Sequence, residues 1–275
     1  MKNLSRHLED LGPFEVEPFK AGSRAKARAL ELWNRRRVRY GLRPAKDWGH
    51  APLLSVDVGK LQKNKVHTLG LVLAPSTSGG LVNVCGWSTA GCEPPNCLSG
   101  AGNNGFPRNA QVRAARTAFL FECPSTFWRV VGGELRRALN KHGAVAFRSN
   151  VLSDLRTDRI VPSLGDWEGL TLVDYTKAPP RARRGAAEAG WHLVHSITER
   201  HTVAEVDRLL LEVPVAIVSN SPSLPDLVKL DHCRRLIDGD QTDERWRDRA
   251  GDVVHLSVKG SMPRNGGIVR NDLFT

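Results

Sequence analysis

The apolar residues of this chain after Pro52 fall into short runs that are separated by polar or helix-forming stretches. Each run is almost continuously apolar, which is typical of strands buried on both faces of a parallel sheet. The pattern predicts strands at Val66–Leu73, Ala144–Asn150, Leu170–Tyr175, Trp191–Ser196, Val213–Ser219, Leu236–Asp238 and Val253–Val258.

Helical patterns fill several of the intervals between these runs. Residues 111–142 predict two helices broken at Pro124, with Ser125 as the cap of the second. Thr202 stands three residues before Glu205, which is the spacing of a capping box and predicts the start of a further helix.

The alternation of strand and helix predicts an α/β fold, because parallel strands joined by right-handed crossovers close into a barrel or open into a doubly wound sheet. No glycine-rich dinucleotide fingerprint occurs in the chain, which favours the barrel. We therefore predict a (β/α) TIM-barrel-like domain, complete or incomplete, over residues 51–275. A basic, mostly helical N-terminal extension over residues 1–50 precedes it.

The chain has 275 residues, and none of its apolar runs approaches the roughly 18 residues that a membrane span requires. Its first residues, MKNLSRHLEDLG, lack the apolar stretch of an export signal. We expect a cytoplasmic protein, in the host cytoplasm if it is phage-encoded, without membrane contact. The sequence leaves the oligomeric state open.

The charge balance indicates a nucleic-acid partner. Lysine and arginine outnumber the acids by 40 to 29, giving a net charge of +11 and a pI near 9.9. Basic side chains are dense between Ser23 and Lys46, a stretch that predicts a helix ending near Gly41. A helix of this kind can follow a phosphate backbone, with DNA as the preferred partner. The predicted contacts are Arg35, Arg36, Arg37, Arg39 and Lys46, and the alternative is an ordinary solvated helix.

Three cysteines, Cys85, Cys92 and Cys97, lie in one loop rich in Gly, Pro and Asn. Thiolates on a flexible loop can converge on zinc or on an iron–sulfur cluster, and His192 could add a fourth ligand. Zinc is the predicted metal, and a [4Fe–4S] cluster with S-adenosylmethionine is the alternative. Three free thiols, or a disulfide with one free thiol, also fit the spacing.

Polar residues follow the predicted strands, and in a barrel all these strand ends lie on the face that holds the active site. Two carboxylates in one cleft can divide the roles of nucleophile and acid, as in the cleavage of glycosidic bonds. A lysine beside them can neutralise a phosphate or lower the pKa of a carboxyl group. The predicted catalytic residues are Asp154, Asp174, Asp238, Asp240, Lys177 and Asn150.

Several segments together resemble a family of phage and plasmid proteins described as gene-product-88-like. The matching segments, in order, include LLSVDVGKL, NVCGWSTAGCEPPNCLSGAG, DYTKAP, LIDGDQTDERWRD and VVHLSVKG. They cover roughly Leu53 to Gly260 and leave the basic N-terminal region outside. The resemblance implies a phage or mobile-element protein whose barrel carries a three-cysteine loop.

Three functions fit these features. The leading hypothesis is an enzyme that modifies a base of phage or mobile-element DNA by exchange, in the manner of 7-deazaguanine transglycosylases, with the strand-end aspartates as nucleophile and acid/base. The second is a radical enzyme that uses a [4Fe–4S] cluster and S-adenosylmethionine on a nucleic acid or nucleotide. The third is a non-enzymatic DNA-binding protein with structural zinc.

Overall fold

The computed structural model describes residues 2–56, 61–93, 97, 102–221, 228–259 and 268–274. The strands of this part of the chain are β1 (Lys2–Asn3), β2 (Leu54–Ser55), β3 (His67–Leu71), β4 (Val82–Asn83), β5 (Val145–Arg148), β6 (Leu170–Thr176), β7 (Trp191–Ser196), β8 (Val215–Ser219), β9 (Arg235–Asp238) and β10 (Asp252–Ser257). The helices are α1 (Leu4–Asp10), α2 (Arg24–Arg39), α3 (Pro107–Glu122), α4 (Pro124–His142), α5 (Thr157–Ile160), α6 (Pro180–Glu188) and α7 (Val203–Leu210).

The main sheet of the described residues has the order β2-β3-β5-β6-β7-β8-β10-β9. Its strands are parallel except for β2, which runs antiparallel to β3. The predicted strands are confirmed as β3 and β5 to β10, and the α/β class is confirmed with them. Continuous apolar runs identified these strands because most of them are central strands with largely buried residues, while β9 is a more exposed edge strand.

One face of the sheet packs against helices. Leu69, Phe147 and Leu172 stand side by side across β3, β5 and β6, and all three lie in the largest apolar cluster. Phe119 on α3 and Phe127 on α4 join the same cluster, with their rings 5.7 Å apart in an edge-on arrangement. Helices α3 and α4, which connect β3 to β5, therefore cover this face.

The helix boundaries follow local sequence rules with one exception. The break between α3 and α4 lies at Pro124 as predicted, but the predicted Ser125 cap is wrong, because Pro124 itself occupies the first helical position and Cys123 precedes it. The capping box of α7 is confirmed: Thr202 Oγ1 accepts from the Glu205 backbone N–H, and Glu205 Oε2 accepts from the Thr202 backbone N–H. Among the described helices, none is both long and apolar enough to cross a bilayer.

The sheet is open, so a closed TIM-like barrel is not what these strands form. The order is sequential from β3 to β8, but β10 then lies between β8 and β9. Because the chain reverses its direction along the sheet after β9, a right-handed connection from β9 to β10 has to cross the face opposite the helices. The described strands therefore end at two edges, β2 and β9, instead of pairing with each other.

The connection from β9 to β10, residues 239–251, is called the crossing segment below. Its Asp243 pairs with the Arg148 guanidinium from β5 and accepts a 3.0 Å hydrogen bond from the Tyr175 hydroxyl of β6. Asp243 N–H donates to Asn64 Oδ1 at 2.7 Å, and the Lys65 N–H donates to Glu244 Oε1 at 2.6 Å. The crossing segment thus links the far edge of the sheet to the residues before β3.

The basic N-terminal region packs into the body of the protein. Leu4, Leu8 and Trp33 are fully buried in the same apolar cluster as the strands. Trp33 Nε1 donates to the Ala51 carbonyl at 3.0 Å, and β1 pairs with β4. Residues 1–50 therefore contribute to the core and border the cysteine loop that follows β4.

Candidate functional site

Several loops meet beyond the carboxyl ends of β3, β5 and β6, and hydrogen bonds of Asp154 connect them. Its backbone N–H donates to the Val84 carbonyl at 2.9 Å. Its carboxylate accepts from Thr176 Oγ1 at 2.7 Å and from the Lys177 N–H at 2.9 Å. Burial raises the pKa of Asp154, while Lys177 opposes that rise. Asp154 therefore holds the cysteine loop against the end of β6.

Asp174, on β6, lies in a buried hydrogen-bonded network. Its carboxylate accepts from the Asn150 N–H at 2.7 Å, from Asn150 Nδ2 at 3.0 Å and from Ser149 Oγ at 2.5 Å. Asn150 Oδ1 accepts in turn from the Leu155 N–H at 2.8 Å. Burial raises the pKa of Asp174 to about 7, against these donors. Both carboxylate oxygens of Asp174 therefore accept hydrogen bonds from the turn that follows β5.

The structure brings three predicted catalytic residues, Asn150, Asp154 and Asp174, to the lining of one small cavity that Trp87 also borders. The cavity has a volume of about 20 Å³. That volume is close to the minimum for a single water molecule and far below that of a nucleobase. The aspartates meet, as predicted, but in a space without room for the predicted substrate.

Cys85 and Cys92 lie near each other on the cysteine loop. The Ser76 N–H donates to Cys85 Sγ at 3.2 Å, and the Cys85 thiol points to the Leu152 carbonyl 3.6 Å away. Burial raises the pKa of Cys85 to about 12, and the neighbouring Cys92 and Asp154 add to the rise. Cys85 therefore carries a neutral thiol next to Cys92.

Cys97 lies beside Arg113 of α3, whose pKa is lowered by burial and raised by Cys97. Residues 94–96 and 98–101 of this loop lie outside the described residues. Within the part of the chain that the structure describes, no group of three His, Cys, Asp or Glu side chains could hold a metal ion. The three-cysteine metal centre stays a prediction.

Lys177 directly follows β6 and lies between the cysteine thiols and a larger cavity. Its ammonium lies within hydrogen-bonding reach of the Cys92 sulfur. Burial alone would lower the pKa of Lys177, but its interactions with Cys92 and Asp154 outweigh that effect and the pKa is raised. Lys177 also lines the larger cavity described next. We call Cys85, Cys92, Asp154 and Lys177 the carboxyl-end site.

A cavity of about 370 Å³ opens between the ends of β6 and β7 and the helices α6 and α7. Pockets for small molecules begin at roughly this volume. Its lining is rich in cations and histidines, and consists of Lys177, Ala178, Pro179, Pro180, Arg183, His195, His201, Glu205, Arg208, Leu209 and Glu212.

The two histidines of this cavity lie next to each other and contact hydrogen-bonding neighbours on both sides. Arg183 Nη1 lies 3.2 Å from His195 Nδ1, and a guanidinium can only donate, so His195 Nδ1 accepts. His195 Nε2 lies 3.4 Å from His201 Nε2, and His201 Nδ1 accepts from the Thr198 backbone N–H at 3.2 Å. Burial, with Arg183 and His201, lowers the pKa of His195 to about 3. Both rings are neutral near pH 7 in this arrangement.

His192, the predicted fourth metal ligand, is not brought to the cysteines. It is exposed in the first half of β7, where burial and the charge of Arg249 lower its pKa. Side chains three positions apart in a strand point to opposite faces, so His195, and not His192, turns toward Lys177. Parity along the strand could have separated the two histidines before the structure was known.

Glu199 holds the cysteine loop from the opposite side. Its carboxylate accepts from Thr89 Oγ1 at 2.8 Å and from the Gly91 N–H at 3.1 Å. Glu199 lies between β7 and α7, on the loop that carries His201. The turn that carries Cys92 is thereby fixed relative to the larger cavity.

Asp238 and Asp240 lie elsewhere, at the end of β9, with three strands between β6 and β9. Asp238 Oδ1 accepts from the Asp240 N–H at 2.9 Å, and Asp240 Oδ2 pairs with Lys259 Nζ at 2.7 Å. An open sheet does not bring its far edge to the loops of β5 and β6. The structure therefore divides the predicted aspartates into two groups.

The predicted nucleic-acid contacts on and after α2 also divide. Arg36 is buried and pairs with Glu122 at 2.7 Å, and the exposed Arg39 pairs with the same carboxylate. Arg37 is buried, and its Nε donates to the Arg43 carbonyl at 3.0 Å. The other two predicted contacts, Arg35 and Lys46, are exposed. Much of this charge therefore stabilises the attachment of α2.

The family model described as Gene product 88 matches residues 49–271. The chain belongs to the Gene product 88 family. The match confirms the resemblance drawn from the sequence, and it spans the cysteine loop, every strand of the main sheet and the larger cavity. No curated protein and no solved structure matches the chain.

In this Gene product 88 protein, sequence reasoning missed Arg183, His195, His201 and Arg208 as a group. Arg183 and Arg208 belong to two short helices, and nothing local in the sequence shows that both face one cavity. His195 and His201 flank the end of β7, which is the signal that could have found them.

Proposed function

We propose that this Gene product 88 protein is a phage or mobile-element enzyme that modifies a nucleotide unit of nucleic acid, and that the reaction takes place beside Lys177. The observation that carries the proposal is the position of Lys177, which reaches Cys92 and also lines the 370 Å³ cavity. An ammonium group between a thiol and a cavity can stabilise a thiolate and hold an anionic substrate against it.

Within this site Cys92 is the reactive thiol and Cys85 is its support. A thiol attacks as the thiolate. The Lys177 ammonium lies within hydrogen-bonding reach of the Cys92 sulfur, on which the proposed attack places negative charge. Cys85 has a pKa of about 12 and stays protonated. The covalent step that this arrangement supports is addition of the Cys92 thiolate to an electrophilic ring carbon of a base: a C–S bond forms, a ring π bond breaks, and the adjacent ring atom takes up the electron pair and a proton.

The charges around the cavity support a nucleotide as the substrate. Lys177, Arg183 and Arg208 line it, and the chain as a whole carries a net charge of +11. Basic surface of this kind attracts phosphates and speeds their encounter with the protein. A mononucleotide and a nucleotide within a strand share that chemistry.

Nucleoside analysis tests the proposal. DNA, RNA and the nucleotide pool are digested from host cells that produce the wild type or the Cys92→Ser variant, and the nucleosides are compared by mass spectrometry. We expect a nucleoside of altered mass with the wild type and none with Cys92→Ser, while Cys233→Ser, which changes a thiol outside the site, retains the product. A product that survives Cys92→Ser, or identical nucleosides in all samples, contradicts the proposal.

Base exchange by a strand-end aspartate is the second candidate. The raised pKa of Asp174, about 7, supports it, because a general acid works best when its pKa is near the working pH. The 20 Å³ cavity beside Asp174 counts against it. Incorporation of a labelled free base into DNA that is lost in Asp174→Asn and kept in Cys92→Ser would favour this candidate over the first.

A metal cofactor, zinc or a [4Fe–4S] cluster with S-adenosylmethionine, fits the described residues only in part. Cys85 and Cys92 lie together, but Cys97 lies beside Arg113. We therefore assign no step of the reaction to a metal.

Metal analysis of protein purified without oxygen tests this part of the prediction. About four irons with sulfide per chain, or about one zinc, would support a metal centre if the content falls in Cys97→Ser and stays in Cys123→Ser. Equal metal content in Cys97→Ser and the wild type would show that Cys97 is not a ligand.

A further inference from the structure

We propose that the 370 Å³ cavity is a phosphate-binding subsite, and that Arg183 and Arg208 hold the phosphate ester of the ligand while Lys177 directs it toward Cys92. The identity of that ligand as a nucleotide rests on the proposed function. Binding of a phosphate ester to the cavity stands on the geometry below and can be measured without any reaction.

Arg183 is a buried cation, and one nitrogen of its guanidinium makes only a long contact with a carboxylate. The residue is 5% exposed and lines the cavity. Its Nη1 donates to the Ala178 carbonyl at 3.0 Å, but its Nη2 meets Glu212 only at 3.5 Å. A charge-assisted bond between a guanidinium and a carboxylate is usually 2.7 to 2.9 Å long, so Nη2 keeps capacity for a closer anion.

The carboxylates of the cavity leave that capacity available. The Glu205 carboxylate accepts from the Thr202 N–H at 2.8 Å and from Thr202 Oγ1 at 2.9 Å, as part of the cap of α7. The Glu212 side chain is 57% exposed and its contact with Arg183 is long. Arg208 is exposed on the same helix as Glu205 and lines the cavity.

The neutral histidines fix the shape of the subsite without adding charge. His195 Nδ1 accepts from Arg183 Nη1, which holds the guanidinium in place. His201 is held through its carbonyl, which accepts from Arg270 Nη1 at 2.7 Å. A guanidinium fixed on one edge loses less freedom when its other edge binds a phosphate.

The position of the cavity agrees with a phosphate site. Lys177 follows β6, and His195 is the last residue but one of β7. The cavity therefore lies beyond the carboxyl ends of parallel strands, where open α/β sheets bind ligands. Lys177 reaches both the cavity and Cys92. A phosphate held here stands next to the proposed reacting thiol.

Calorimetric titration tests the subsite with three probes: a deoxynucleoside 5′-monophosphate, the matching nucleoside, and an oligonucleotide with blocked ends. We expect the monophosphate, the oligonucleotide or both to bind and the nucleoside to bind at least about tenfold more weakly, because it lacks the charge-assisted bonds. Binding of the monophosphate alone identifies a free nucleotide as the source, and binding of the oligonucleotide alone identifies a strand.

Variants locate the binding. Arg208→Gln and Arg183→Gln should each weaken the tighter phosphate probe by about tenfold. Arg159→Gln, which removes an exposed arginine from α5, is the matched control and should bind as the wild type does. Because Arg208 is exposed, its variant should fold even if Arg183→Gln does not, and circular dichroism checks both.

Equal affinity of nucleoside and monophosphate, or unchanged affinity in folded Arg208→Gln and Arg183→Gln, overturns the subsite. The two proposals fail separately. A Cys92-dependent nucleoside without phosphate binding would leave the proposed function in place, whereas phosphate binding at Arg208 without a modified nucleoside would leave the subsite in place.

Discussion

Two regions of the molecule bury charged side chains, and they differ in what satisfies those charges. Around the crossing segment, cation meets anion: Arg148 pairs with Asp243, and Arg235 pairs with Asp252 at 2.6 Å. In the carboxyl-end site, Lys177 is shared between Cys92 and a cavity. Charged groups that form ion pairs with each other hold the sheet together, whereas a charged group that borders a cavity can bind a ligand.

The largest expected effect is on the reaction. Lys177→Met removes the ammonium beside the Cys92 sulfur, where the proposed attack places negative charge, and we expect the modified nucleoside to fall by roughly 10²-fold or more, as for other residues that assist proton removal. Mass spectrometry of host nucleosides measures it. The matched change Lys229→Met, at an exposed lysine outside both regions, should leave the product unchanged. Equal loss in both variants would point to an unspecific effect of charge.

The next effect is on stability and belongs to the crossing segment. Arg148→Met removes the guanidinium that pairs with the buried Asp243 carboxylate, and we expect the free energy of unfolding to fall by about 3 to 5 kcal/mol. Urea denaturation measures it. The double variant Arg148→Met/Asp243→Leu should recover most of that loss, because it removes both charges. If the single and double variants are equally unstable, packing and not charge pairing explains the loss.

The pH dependence of stability should separate the two regions. Burial raises the pKa of Asp174 from 3.8 to about 7 and that of Asp248, in the crossing segment, to about 6. A folded state with a raised pKa binds its proton more tightly than the unfolded chain, so stability falls as pH rises between the two values. Asp174→Asn should flatten this fall from about pH 4 to 7, and Asp248→Asn from about pH 4 to 6.

Thermal unfolding across pH 4 to 8 measures these slopes. Asp47→Asn, which changes an exposed carboxylate with a lowered pKa, is the control and should not flatten the fall above pH 4. Parallel curves for the wild type and Asp174→Asn would show that the carboxyl group does not keep its proton in the folded protein.

A smaller effect should follow from Glu199. Glu199→Ala removes both hydrogen bonds to the turn that carries Cys92, so we expect Cys92 to react with iodoacetamide several-fold faster, at roughly the scale of one lost hydrogen bond. Peptide mapping by mass spectrometry gives the rate at each thiol. Cys233 in the same sample is the internal reference, and Glu168→Ala is the matched surface variant. An unchanged Cys92 rate would mean that Glu199 does not position the loop.

Much of this fold could be predicted from local pattern. The strands β3 and β5 to β10 follow from continuous apolar runs, and α7 begins at its capping box because Thr202 and Glu205 satisfy each other's backbone groups. The predictions on α2 were less complete. The basic helix forms where expected, but Arg36 and Arg37 are buried, because long basic side chains can cover apolar surface and pair with a distant carboxylate such as Glu122.

The candidate site was only partly predictable. Asp154 follows β5 and Asp174 lies near the carboxyl end of β6. The two residues meet because these parallel strands are neighbours, and that adjacency was implied by their order in the chain. Asp238 was expected to join them and does not, because β9 lies at the far edge of an open sheet. The predicted fourth ligand was His192, and strand parity places it on the face opposite His195.

The sequence by itself determined the α/β class, the main strands, the family and the position of a cysteine-rich loop after the first of the parallel strands. These features depend on short-range patterns of apolar residues, caps and motifs. Only the tertiary structure decided the order of β9 and β10, the burial of Asp174 and the meeting of Lys177 with Cys92 and the cavity. Strand order, burial and cavities depend on contacts between residues distant in the chain, and no local pattern encodes which distant partners meet.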